Sequence, residues 1–218
     1  SVAGIANLER IWLEAARRDV WPVHPARIPL ELLRRGSSVN GNEGLRAVLD
    51  ANLPDTFEEL ALPFRCVAAD LETGRARWFH TGPLSEAILA SAALPGILPP
   101  IEVDGRLLID GAAVDVVPVA AAVALGATRL FVLQVKDLDA APPVPRRPLD
   151  VVLRAFAISR GARFLAELEA LPATVEVHVL PVVEWPRFRY DGFSRTAELI
   201  ELSRARASEH LEAAAISG

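Results

Sequence analysis

Cysteine is almost absent from this chain of 218 residues, and methionine is absent altogether. The one cysteine, Cys66, lies in the apolar run 64–69. A single thiol cannot form a disulfide framework or a thiolate metal site within the chain, so both are excluded. We expect Cys66 to be a buried core thiol.

An excess of basic charge and long hydrophobic runs are also missing. The chain has 28 acidic and 23 basic residues, a formal net charge of -5 and no long basic run, so we expect no nucleic-acid partner. Its longest apolar stretches, such as 114–127, are interrupted by charge, proline and glycine and fall short of the roughly 18 to 20 apolar residues of a membrane-spanning helix. No signal-peptide pattern opens the chain. We therefore expect a cytoplasmic or peripheral membrane location.

Histidines are few and scattered. The four of them, His24, His80, His178 and His210, include no i, i+4 pair, so local spacing does not predict a metal site. We expect solvated or core histidines, and neither a metal nor an organic cofactor. A Ser-His-Asp triad that uses one of these histidines stays open, because triads assemble across a fold.

The patterns that are present predict one α/β domain over residues 1–218. With 51% hydrophobic residues the chain can bury a substantial core. Helical signals cover 5–18, 29–35, 43–51, 84–93, 118–125, 149–170 and 196–214, and strand signals cover 64–70, 75–80, 101–103, 107–109, 129–135 and 174–180. The first four strands read as two hairpins. The strand 107–109, the helix 118–125 and the strand 129–135 follow one another, which predicts a crossover and three layers, with a mixed or mostly parallel sheet flanked by helices.

The most informative part of the chain is the segment 85–112. It contains Ala-Ser-Ala-Ala-Leu-Pro-Gly-Ile-Leu-Pro-Pro and, after a predicted hairpin, Ile-Asp-Gly-Ala. This resembles the patatin-like phospholipase family, in which an A-S-x-A-x-P-x-x-F-P-P segment leads into a hairpin that ends in D-G-G or D-G-A. The segments 60–74, 117–119 and 125–127 are also similar to that family. Because four motifs occur in one order, the resemblance is specific.

The resemblance implies a patatin-like, lysophospholipase-like fold and a lipid acyl hydrolase with a Ser-Asp dyad. In such a dyad the aspartate of the D-G-A motif takes the proton of a serine, and backbone N–H groups stabilise the oxyanion. Asp110 matches this base. Gly111 allows close backbone approach beside it, Ala112 stands in place of the commoner second glycine, and we expect Asp115 to support the site loop.

The nucleophile of the family has no match in this chain. No G-x-S-x-G elbow and no glycine-rich oxyanion loop occur in the 218 residues. The nearest segment, 36–40, lacks the last glycine and does not follow a buried strand, so we interpret it as a loop. Ser91 is predicted in mid-helix, where a packing role is expected. We therefore expect the first strand, the elbow and the serine to precede Ser1, and the 218 residues alone to be inactive.

Two alternatives to the hydrolase stay open. One is a non-catalytic lipid-binding or regulatory protein that keeps the fold without an elbow. The other is an acyltransferase, which passes the acyl group to an acceptor other than water. The expected partner is a lipid or ester substrate, and the aromatic loop 185–190 suits either contact with a membrane or ordinary packing. The sequence indicates no oligomeric state.

Overall fold

The computed structural model describes residues 2–14, 38, 40–134, 144, 148–183 and 193–216. Their helices are α1 (Val2–Glu14), α2 (Glu43–Asn52), α3 (Leu84–Ser91), α4 (Val119–Ala124), α5 (Pro148–Glu169) and α6 (Thr196–Ile216). Their strands are β1 (Cys66–Asp70), β2 (Ala76–Phe79), β3 (Ile101–Val103), β4 (Arg106–Asp110), β5 (Arg129–Val132) and β6 (Glu176–Val179). The chain divides into two compact units, one of residues 14–115 and one of residues 1–13 with 116–218. The single domain expected from the sequence stays a prediction.

The unit of residues 14–115 contains a four-stranded antiparallel sheet in the order β2-β1-β4-β3. Both predicted hairpins are confirmed, because β1 pairs with β2 and β3 pairs with β4. The two hairpins join through β1 and β4, where Ala68 is opposite Asp110 and Asp70 is opposite Leu108. The last residue of β4, Asp110, therefore lies beside the backbone of β1, and the last residue of β1, Asp70, lies beside the backbone of β4.

Helix α3 covers one face of this sheet. Its Leu89 and Ala90 pack with Ala68 of β1 and Leu108 of β4, and all four side chains are at most 1% exposed. Alanine on both the helix and the strand lets the two backbones approach closely, and the two leucines fill the remaining space. This core holds together β1 and β4, and the D-G-A turn follows directly after β4.

The second unit is built on the parallel pair β5 and β6, with Arg129 opposite Glu176. Its core consists of Val119, Leu130, Val132 and Phe164, contributed by α4, β5 and α5. The long connection between the parallel strands contains α5, as parallel pairing requires. Buried and exposed residues alternate along β5, so this strand buries one face, with Leu130 and Val132.

The predicted α/β class is confirmed, since the structure has parallel and antiparallel strands together with helices that pack on them. The crossover differs from the sequence expectation, which joined 107–109 to 129–135 through the helix 118–125. Strand β4 has β1 on one side and β3 on the other, so no edge of β4 is left for β5. The crossover that the structure shows joins β5 to β6.

Several predicted segments lie outside the described residues. They are the helix 29–35, the end of the first helix after Glu14, most of the proline-rich segment 140–148, which the sequence predicts to be a surface linker, and the loop 184–191. In the part of the chain that the structure describes, no helix combines the length and the apolar character needed to cross a membrane.

Candidate active site

Asp110 is the last residue of β4 and the first residue of the turn that follows. Its Oδ1 accepts a hydrogen bond of 2.7 Å from the backbone N–H of Ala112. Its own backbone N–H donates to the carbonyl oxygen of Ala93 at 3.0 Å. Both the backbone and the carboxylate are therefore held, and the half-buried side chain lies at the end of a strand rather than in a loose loop.

The D-G-A turn is a single turn of 3-10 helix over Gly111–Ala113. The carbonyl oxygen of Gly111 accepts hydrogen bonds from the backbone N–H groups of Val114 and Asp115, at 3.0 and 2.8 Å. Asp115 thus closes the turn through its backbone, while the supporting role expected for its side chain stays a prediction.

Gly111 lies against the backbone of β1. A Cβ atom at this position would be 2.0 Å from the carbonyl oxygen of Val67, which no side chain tolerates. The close backbone approach inferred from the sequence agrees with this geometry. Glycine is therefore required at the residue after Asp110.

A second aspartate, Asp70, ends β1 and was not assigned to the site from the sequence. Its Oδ1 accepts hydrogen bonds from the backbone N–H groups of Glu72 and Thr73, at 2.9 and 3.0 Å. Its Oδ2 accepts one of 2.7 Å from Nη1 of Arg106. The hydrogen bond from Thr73, followed in importance by that from Arg106, lowers the pKa of Asp70 to about 2. The turn Asp-Leu-Glu-Thr-Gly after a strand is the signal that marks such an aspartate.

The patatin-like phospholipase family model matches residues 3–123, which is more than half of the chain. The chain belongs to the patatin-like phospholipase family. The matched region includes the D-G-A turn with Asp110, Gly111 and Ala112.

Curated relatives are similar over about half of this patatin-like chain. Uncharacterized NTE family proteins of Mycobacterium tuberculosis (strain ATCC 25618 / H37Rv) and Mycobacterium bovis are 40% identical over 104 residues, 48% of this chain and 29% of each relative. A lysophospholipase of Mycosarcoma maydis is 31% identical over 107 residues, 49% of this chain and 6% of the relative. The match thus spans less than a third of these relatives' own length.

A different Asp-Gly pair of this patatin-like chain, at 104–105, is the turn of a hairpin. Asp104 and Gly105 connect β3 to β4 with positive φ angles of 51° and 73°. The Asp104 carboxylate pairs with Arg77 at 2.7 Å on the surface of the sheet. Nothing in this geometry resembles the turn at Asp110.

Neither serine considered in the sequence lies on a nucleophile elbow. Ser38 is buried, and its backbone forms an isolated β-bridge with Gly96. Its Oγ donates to the carbonyl oxygen of Asn40 at 3.0 Å. Ser91 is the last residue of α3 rather than a mid-helix residue. The helix ends earlier than predicted because Pro95 and Gly96 follow closely.

Three of the four histidines belong to the described residues, and they lie in different segments. Nε2 of His178 lies 2.7 Å from Oε1 of Glu176, and its ring stacks on Phe131 with centroids 5.1 Å apart. His80 follows β2 and His210 belongs to α6, whereas His24 is outside the described residues. Within the described residues, no cluster of histidine, cysteine and acidic side chains suits a metal ion.

Cys66 is half-buried rather than fully buried, which corrects the sequence expectation. It is the first residue of β1 and packs beside the buried Phe57, Leu84 and Ala87. Burial raises the pKa of its thiol to about 11. The thiol is therefore protonated near neutral pH and unsuited to act as a nucleophile.

Proposed function

We propose that the intact protein hydrolyses acyl esters of lipids with a serine-aspartate dyad in which Asp110 is the general base. The observation that carries this proposal is the fixed carboxylate of Asp110 in the D-G-A turn of a patatin-like chain. Lysophospholipids are the first substrates to test, because several relatives are named lysophospholipases. Contact with a lipid surface accompanies such a substrate.

In each of the two steps of the proposed reaction, Asp110 accepts one proton and then gives it up again. As the serine Oγ attacks the ester carbonyl carbon, its proton passes to the carboxylate of Asp110. Collapse of the tetrahedral intermediate returns this proton to the leaving alcohol and forms an acyl-serine. Water then attacks the acyl-serine in the same manner, which releases the fatty acid. The chain has no G-x-S-x-G motif, so we place the serine outside these 218 residues, in a segment before Ser1.

The hydrogen bond from Ala112 to Asp110 has a defined task in this proposal. It fixes one carboxylate oxygen, Oδ1, and so limits rotation of the side chain. A base with few accessible orientations loses little entropy when the serine proton is transferred. The close packing of Gly111 on Val67 keeps the turn itself in place.

The Asp110→Asn variant of the intact protein tests this proposal. Asparagine keeps an oxygen for the Ala112 N–H and so keeps the turn, but it cannot accept the serine proton. We expect fatty-acid release from a lysophospholipid in detergent micelles to fall by about 100- to 10,000-fold. The matched control is Asp104→Asn on the same hairpin, which should leave the rate within about twofold. Retained turnover by folded Asp110→Asn would contradict the assignment.

Fluorophosphonate labelling with peptide mapping separates this proposal from its alternatives. An adduct on a serine outside the 218 residues supports the hydrolase. Folded intact protein without any adduct would favour a non-catalytic lipid-binding protein. Transfer of the acyl group to an added alcohol in preference to water would favour an acyltransferase.

A further inference from the structure

Strand β4 is attached to β1 at both of its ends. At its first residue, Nη1 of Arg106 donates to Oδ2 of Asp70 across 2.7 Å. Just after its last residue, Asp110, the backbone of Gly111 packs against the carbonyl oxygen of Val67. Asp110 therefore ends a strand that has, besides its ladder pairing, a specific contact with β1 at each end.

Asp70 is a rigid anchor for this ion pair. Its side chain is 7% exposed, and the N–H groups of Glu72 and Thr73 already hold its other oxygen. The turn after β1 thus orients the carboxylate independently of Arg106. An arginine that pairs with such an anchor gains a defined partner, and only the arginine side chain loses substantial freedom when the pair forms.

Other contacts also hold the beginning of β4. Its register with β1 covers three positions, and the final one pairs Asp70 with Leu108. One further hydrogen bond follows, from the N–H of Leu71 to the carbonyl oxygen of Leu107 at 2.9 Å. On the other side Arg106, Leu107 and Leu108 pair with the three residues of β3. These pairings and the buried Leu108 set the register of β4, and the Arg106–Asp70 ion pair adds a side-chain contact with β1 at its first residue.

We propose, on the basis of the hydrolysis proposed above, that Asp70 and Arg106 are positioning residues for Asp110. Their ion pair limits small displacements of β4 along β1 and therefore of the carboxylate at its end. A displacement of about 1 Å at a reacting group already costs up to about 100-fold in rate. Neither residue touches the reacting atoms in this proposal.

The same sheet carries a second Asp-Arg pair that serves as a control. Nη2 of Arg77 lies 2.7 Å from Oδ2 of Asp104, the same distance as in the first pair. Here the aspartate side chain is 71% exposed, against 7% for Asp70. This pair connects β2 to the turn before β4 without an anchored carboxylate, and exposed pairs of this kind contribute little.

The test compares Arg106→Gln, Arg106→Lys and Arg77→Gln in the intact protein. Active sites are counted by fluorophosphonate labelling carried to completion, and kcat is expressed per labelled site, so loss of folded protein does not enter the value. We expect kcat per site to fall about 10- to 100-fold in Arg106→Gln with KM within about twofold. Arg106→Lys should recover most of the loss, because lysine can supply the one N–H···O bond seen here. Arg77→Gln should match the unmodified protein.

The outcomes keep the two proposals distinct. An unchanged kcat per site in Arg106→Gln overturns the positioning role, and a lower melting temperature alone would show a purely structural pair. Equal losses in Arg106→Lys and Arg106→Gln also overturn it, because the ion pair would then not be what matters. If Arg106→Gln does not fold, Asp70→Asn compared with Asp104→Asn decides by the same measurement, because each removes the charge of one aspartate of a pair. An unchanged kcat per site in Asp70→Asn then overturns the role. The dyad itself stands or falls with Asp110→Asn.

Discussion

Gly111 shows how one missing side chain shapes the candidate site. The backbone of the turn comes so close to β1 that a Cβ would overlap the carbonyl oxygen of Val67. Sequence reasoning predicted Asp110 and this close approach because both lie within one short motif. It did not predict the Asp70–Arg106 pair, whose members are 36 positions apart. Such a pair depends on the register of two strands, which local patterns do not determine.

At the residue scale, Gly111→Ala should therefore destabilise the protein. The new methyl group must displace the backbone of β1 or of the turn, so we expect a loss of about 1–3 kcal/mol in the free energy of unfolding. The measurement is chemical denaturation of each variant. A matched control is Gly41→Ala, where the three atoms nearest to the methyl group belong to the flexible carboxylate end of Glu43. Equal stability of the two variants would contradict the steric argument.

At the scale of elements, the strands and helices are where sequence patterns were most informative. Both hairpins were predictable because turn residues and alternating apolar residues lie next to each other in sequence. The partner of β5 was not, because β4 already has a neighbour on each side and local sequence does not show this. Helix α5 was predicted almost to its observed bounds, and its buried face is marked by Phe164, which is 3% exposed.

Two phenylalanines on α5 give a prediction at this scale. Phe164 lies in the core with Leu130 and Val132, whereas Phe156 is 42% exposed and contacts the guanidinium of Arg160. We expect Phe164→Ala to lower the free energy of unfolding by about 3–5 kcal/mol. Phe156→Ala should cost about 1 kcal/mol or less. Denaturant titration of both variants checks the difference, and similar losses would show that α5 buries a different face.

At the scale of the whole molecule, the division into two compact units and the prediction of one domain concern different properties. Compactness describes where contacts concentrate, whereas a domain in the thermodynamic sense unfolds as one cooperative unit. Composition and length predicted one domain because the chain has the size and apolar content of a single core. Sequence patterns contain no information about cooperativity between distant segments.

Hydrogen exchange tests the single-domain prediction. If the chain unfolds as one unit, Phe164→Ala should reduce the protection of core amides in β1 and β4 by the same factor as that in β5, because all of them exchange through global unfolding. Native-state exchange monitored by mass spectrometry resolves these strands. A loss of protection confined to β5 and β6 would show that the two units unfold separately.

Cys66 gives the chain a chemical reporter of its own. It is the only thiol in these 218 residues and occupies the first position of β1, the strand against which Gly111 packs. Because the thiol is half-buried and its pKa is raised to about 11, a maleimide reagent near neutral pH reacts slowly while β1 stays in place. The rate of that alkylation therefore measures how often β1, the strand that packs against the D-G-A turn, opens to solvent. No engineered label is needed.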